Sequence, residues 1–126
     1  MISGIIENHR HPYITLDLAG KNSSEILQFL VDTGFDGDVG IHYSKAFQMK
    51  LPFHDVIRVD YADGESRLEL VCRASINWGG EKRVVNVVLS YDDQPAIGTN
   101  LLKDCVMVMN FANGELTIGK AEIAAA

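Results

Sequence analysis

Basic residues are scarce in this chain. Eleven Lys and Arg stand against seventeen Asp and Glu, giving a net charge of −6, and Lys82-Arg83 is the one adjacent basic pair. Nucleic-acid binders carry a basic stripe or patch, so that function class is set aside, and the acidic balance is read as favouring solubility. Cysteine is also scarce. Cys72 and Cys105 are too few for a disulfide framework and read as reduced thiols of a cytoplasmic protein. Long apolar runs are missing. Val84-Val85 and Val87-Val88-Leu89 are separated by Asn86, and nothing approaches the ~18 residues of a spanning helix. The opening residues lack a basic segment followed by an apolar run, so no secretory signal is expected. There is no internal repeat, linker or low-complexity segment.

What is present fits one folded unit. The chain has 126 residues, of which 47% are hydrophobic and 22% charged. That is the size and composition of a single globular domain, here residues 1–126, with enough material for a true core. Ala124-Ala125-Ala126 reads as a loose tail.

Strand signals dominate the chain. Ile2 to Glu7 and Tyr13 to Leu18 flank a turn-like Asn8-His-Arg-His-Pro, which predicts a hairpin. Gly20 to Ser24 turns again, and the apolar run Ile26 to Val31 ends abruptly at Asp32-Thr33-Gly34. Val39 to Ile41 is a short strand. Tyr43 to Lys50 is a weak helix closed by Leu51-Pro52. Val56 to Tyr61 and Ser66 to Trp78 are strands around Ala62-Asp63-Gly64-Glu65, since Asp-Gly between strands is a strong hairpin signal. Trp78-Gly79-Gly80-Glu81 turns the chain into Val84 to Leu89. Thr99 to Asp104 reads as a short helix with Thr99 as its cap. Cys105 to Phe111 and Leu116 to Ile118 form a closing hairpin over Asn113-Gly114. Many short strands at regular spacing with two short helices predict an all-β sandwich or barrel.

The sharpest chemical feature is Val31-Asp32-Thr33-Gly34. It sets a carboxylate at a strand end, followed by a hydroxyl that can donate and accept, and a glycine free to take unusual backbone angles. Three more elements follow in order: the Ala62–Glu65 hairpin, the segment Pro95-Ala-Ile-Gly-Thr-Asn-Leu-Leu102, and the hairpin from Met109 to Gly119. In this order the four elements resemble the retropepsin-like aspartic proteases, most closely the small single-domain clan AA proteases of bacteria. Val31-Asp-Thr-Gly-Phe-Asp-Gly leading to Leu51-Pro52, Trp78-Gly-Gly-Glu, and Ile97-Gly98 with Leu101-Leu102 carry the same resemblance, which runs from about Gly4 to Ile118.

The resemblance implies an acid-protease barrel with one lobe per chain. It implies Asp32 as the catalytic aspartate and Thr33 as a hydroxyl reaching across to a partner subunit's backbone. Gly34 would let two such loops approach. Ala62, Asp63, Gly64 and Glu65 would form a flap over a peptide or protein substrate. Ile97 and Gly98 would pack beneath the catalytic loop and belong to the substrate-binding set. Peptide hydrolysis by this route needs two carboxylates sharing a proton. With one Asp-Thr-Gly in the chain, a homodimer pairing two Asp32 side chains is implied. No cofactor or metal is required. The alternative function is a dimeric peptide-binding or interaction module that keeps the fold without hydrolysis. Viral members place an arginine straight after the second glycine, pairing with an acid past the catalytic triplet; here Thr99 holds that place, and Asp36 and Asp38 read as solvated loop acids.

Other features carry less. The Asp32, Asp36, Asp38 spacing lacks the pattern and closing Glu of a calcium loop. His9, His11, His42 and His54 are scattered and read as exposed or partly exposed. Ser44 and Ser66 lack a Gly-x-Ser-x-Gly setting. Cys72 reads as a core thiol, Trp78 as packing at a turn, and Met107 and Met109 as core or interface.

Overall fold

The structure, a computed structural model, describes residues 1–122; the tail expected at 124–126 lies outside the described residues. Ten strands form one sheet. In chain order they are β1 (Ile2–Glu7), β2 (His11–Ala19), β3 (Ser24–Val31), β4 (Val39–His42), β5 (Phe53–Asp60), β6 (Ser66–Trp78), β7 (Glu81–Ser90), β8 (Ala96–Ile97), β9 (Cys105–Asn110) and β10 (Glu115–Lys120). Two short helices interrupt them, α1 (Tyr43–Gln48) and α2 (Thr99–Leu102). The all-β expectation holds.

Strand order is β5-β6-β7-β4-β8-β3-β2-β1-β10-β9, and β6 also pairs with β2 through Leu18↔Ile76 and Ala19↔Ser75. That second pairing folds the sheet onto itself. Its enclosed face is the core. Along β2 the side chains alternate strictly, with Ile14, Leu16 and Leu18 buried and Thr15 and Asp17 exposed, as a period of two requires. Phe29, Val39, Ile41, Val87, Leu89, Ile97 and Leu101 meet them inside. A fully buried Phe29 or Leu18 contributes about 1.5–3 kcal/mol each.

The turns explain the register. Gly64 (φ +84°), Gly79 (+62°), Gly80 (+93°) and Gly114 (+79°) sit in the left-handed region, which glycine enters without steric cost. These are the three hairpin turns anticipated from Asp-Gly, Gly-Gly and Asn-Gly.

Three local details differ from expectation. β8, only two residues long, is a strand because β3 and β4 flank it: Val31↔Ile97 is parallel and Val39↔Ile97 antiparallel. Gly98, not Thr99, is the N-cap residue of α2, and it makes no side-chain cap; the Thr99 hydroxyl instead donates to the Phe35 carbonyl at 3.3 Å. α1 ends at Gln48, and its N-terminus is capped by His42, whose Nδ1 accepts from the Ser44 amide at 3.0 Å.

Candidate active site

Asp32 follows the last residue of β3 and leaves the sheet where β8 supports it. Its amide donates to the Ile97 carbonyl at 3.0 Å, and its own carbonyl accepts from the Phe35 amide at 3.1 Å. The main chain at Asp32 is therefore fixed on both sides. Its side chain is half-buried, and Oδ1 accepts from the Gly34 amide at 2.9 Å. One carboxylate oxygen is thus oriented by the loop. Among the described residues no hydrogen bond occupies Oδ2.

Gly34 needs no left-handed backbone here, contrary to the expectation of unusual angles. Its constraint is space, because a Cβ there would lie 3.2 Å from Asp32 Oδ1. Thr33 is exposed beside it, and among the described residues its hydroxyl takes part in no hydrogen bond.

The loop rests on the Ile97–Asn100 segment. Gly98 donates to the Asp38 carbonyl at 3.0 Å, Thr99 to Phe35 at 2.8 Å and Asn100 to Gly37 at 3.2 Å, all through main-chain amides. Ile97 and Gly98 are buried beneath the loop. A Cβ on Gly98 would run into the Gly37 carbonyl and lie 2.5 Å from the Phe35 carbonyl and 2.7 Å from its ring. Glycine is required there by the closeness of the two chains.

Asp38 is not a solvated acid. It is only 9% exposed. Its Oδ1 accepts from Asn100 Nδ2 at 2.7 Å and its Oδ2 from the Asn86 amide at 3.0 Å. It clamps the loop to β7 and to α2. Asp36 is exposed, as expected.

The Ala62–Glu65 hairpin is exposed and internally braced. Tyr61 donates to the Glu65 carbonyl at 2.8 Å, Gly64 to Tyr61 at 3.0 Å, and the Glu65 amide to Asp63 Oδ1 at 2.9 Å. Arg67 lies over the Tyr61 ring at 4.7 Å. The structure gathers Asp32, Thr33, Gly34, Ile97 and Gly98 in one place. No hydrogen bond among the described residues joins residues 62–65 to them. Between the hairpin's β5 arm and the loop lies a groove of about 330 Å³. Ile57 and Val59 form one wall, Phe35 to Asp38 the other, and Val71 and Val88 contribute apolar surface.

Sequence reasoning missed the support of that hairpin. Glu69 is buried within β6, and its carboxylate accepts from the Tyr61 hydroxyl at 2.7 Å and the Tyr43 hydroxyl at 3.3 Å. Burial, then the hydrogen bond to Glu69, push the Tyr61 phenol up to about 12. Burial and the Glu69 charge raise Tyr43 in the same direction. Cys72 is buried as expected, and burial pushes its thiol up.

No family model matches the sequence, and no curated protein matches it. A solved structure does match in shape. The crystal structure of a retropepsin-like aspartic protease from Rickettsia conorii aligns over 96% of this chain and 92% of that one. The TM-score is 0.62 and the identity 18%. The fold is therefore that of the retropepsin-like aspartic proteases, one all-β lobe with two short helices.

Proposed function

We propose that the chain, residues 1–126, is one lobe of a homodimeric aspartic endopeptidase, and that Asp32 of each subunit supplies one of two facing carboxylates. The observation that carries this is the setting of Asp32: Oδ1 held by the Gly34 amide at 2.9 Å, Oδ2 open, and the main chain fixed by Ile97 at 3.0 Å. A carboxylate so oriented is suited to proton transfer, and the retropepsin-like fold supplies the context in which such pairs hydrolyse peptides.

Two carboxylates at short range cannot both ionise readily, so the pair retains one proton. The ionised member takes a proton from a water molecule as it attacks the peptide carbonyl. The protonated member donates to the carbonyl oxygen. We assign the exposed Thr33 hydroxyl to the subunit contact, and Gly34 to the approach of the two loops. Residues 62–65 act as the flap, closing over a peptide laid in the groove beside Phe35–Asp38. Ile97 and Gly98, buried under the loop, act as its support rather than as groove wall. The free Cys72 and Cys105 thiols are compatible with the reducing cytoplasm of a bacterial cell.

The test is cleavage of a mixed peptide library, read by mass spectrometry across about pH 4–7, with Asp32→Asn as the comparison. Wild-type cleavage that disappears in the variant supports the proposal. Equal cleavage by both proteins rejects it. No cleavage by a wild type shown by light scattering to be dimeric favours a peptide-binding module.

A further inference from the structure

A second cavity, of about 350 Å³, shares no lining residue with positions 32–38 or 57–66. Two strand ends and two connections build it: the start of β1, the β6–β7 turn, the link from α2 to β9, and the end of β10. The walls are braced by main-chain structure. Trp78 and Glu81 pair across the turn, and the Ala121 amide closes on the Asp104 carbonyl at 2.9 Å. Gly79 and Gly119 contribute lining without side chains.

The charge of this cavity runs against the rest of the molecule. Lys82, Arg83, Lys103 and Lys120 line it, against Glu81 and Asp104, in a chain whose net charge is −6. Among the described residues none of these four cations has a carboxylate within salt-bridge distance, whereas Lys45, Arg58 and Arg67 do. Arg83 is half-buried and oriented, with Nη1 donating to the Leu101 carbonyl at 3.4 Å, and its other N–H groups remain for a ligand. Four cations without a carboxylate partner line one concavity, a lining suited to an anion of more than one charge.

The remaining wall is apolar. Trp78, the only tryptophan, is half-buried there, and Met1, Ile2, Cys105 and the buried Ile118 also line the cavity. The ligand thus needs a flat apolar part as well as charge. The volume lies at the small end of the range of about 300–1,000 Å³ typical of ligand pockets, which favours a compact ligand. Glu81, Asp104 and the overall negative field disfavour an extended polyanion such as a nucleic-acid strand.

We propose that this pocket binds a small phosphorylated ring compound of the nucleoside monophosphate class, its phosphate among Lys82, Arg83, Lys103 and Lys120 and its ring against Trp78. The site is separate from the proteolytic reading and stands or falls without it.

Because Trp78 is the only tryptophan, its fluorescence reports this pocket alone. The full chain is titrated with adenosine, guanosine, cytidine and uridine monophosphates, with inorganic phosphate and with unphosphorylated adenosine. The expected result is a saturating, salt-sensitive change with at least one nucleotide. Phosphate and adenosine should each bind at least about tenfold more weakly. The double variant Lys82→Gln, Lys103→Gln, checked for its fold by circular dichroism, should weaken nucleotide binding by about tenfold or more. Three results overturn the proposal: no saturable change with any nucleotide up to millimolar concentration, phosphate alone binding as tightly as the nucleotides, or a folded double variant binding as wild type does.

Discussion

Replacing Gly98 with alanine tests how the Asp32 loop is held. The added Cβ would collide with the Gly37 carbonyl and sit 2.5 Å from the Phe35 carbonyl and 2.7 Å from the Phe35 ring. Two of these neighbours are main-chain oxygens, so no flexible side chain can swing aside. Separation to ordinary contact requires the loop and the Ile97–Asn100 segment to part by roughly an ångström. That movement strains the amide bonds from Gly98 to Asp38, Thr99 to Phe35 and Asn100 to Gly37. Overpacking costs about 1–3 kcal/mol, and each weakened hydrogen bond up to about 1 kcal/mol. A total of about 3 kcal/mol is expected, which for a domain of this size lowers the melting temperature by roughly 12 °C. The comparison is Gly64→Ala, where a Cβ meets nothing within 4 Å and only the φ of +84° is unfavourable. Its cost is about 1 kcal/mol, or roughly 4 °C. Thermal unfolding followed by circular dichroism at one fixed protein concentration measures both. If Gly98→Ala melts within a few degrees of wild type, or no lower than Gly64→Ala, the packing argument is wrong.

Two further predictions concern buried polar groups. Asp38→Ala leaves the Asn86 amide and Asn100 Nδ2 without their acceptor, so urea unfolding should show a loss of roughly 2–4 kcal/mol, where a solvated loop acid would give almost none. The Tyr61 phenol, raised to about 12 from an ordinary 10, favours the folded state in its neutral form. Its contribution is complete below about pH 10 and is lost as pH rises toward 12. Ultraviolet titration should therefore show one tyrosine ionising near 12 that vanishes in Tyr61→Phe and moves down in Glu69→Gln; a titration unchanged by Glu69→Gln contradicts the Glu69 contact.

Local signals made much of the fold legible. Gly64, Gly79-Gly80 and Gly114 marked the hairpins because positive φ is a property of the residue itself. Ile14, Leu16 and Leu18 declared their shared face by alternation. Other features depended on distant parts of the chain. β8 is two residues that become a strand only between β3 and β4. Asp38 looked like any loop acid, because its partners lie 48 and 62 positions away. Glu69 sits in an otherwise ordinary strand, and only its burial against Tyr43 and Tyr61 distinguishes it. Asp32 was visible through its tripeptide, but the support from Ile97 and Gly98 that orients it is a tertiary contact.

The central claim is that one active site uses Asp32 from two chains. Subunit mixing tests it most directly. Wild type and Asp32→Asn are combined in equal amounts, allowed to exchange, and assayed on a peptide that the wild type cleaves. If each site needs both carboxylates, only wild-type pairs act, and activity falls to about one-quarter of that of the same total amount of wild type. Activity of about one-half contradicts the account, because each chain would then be working with its own Asp32 alone.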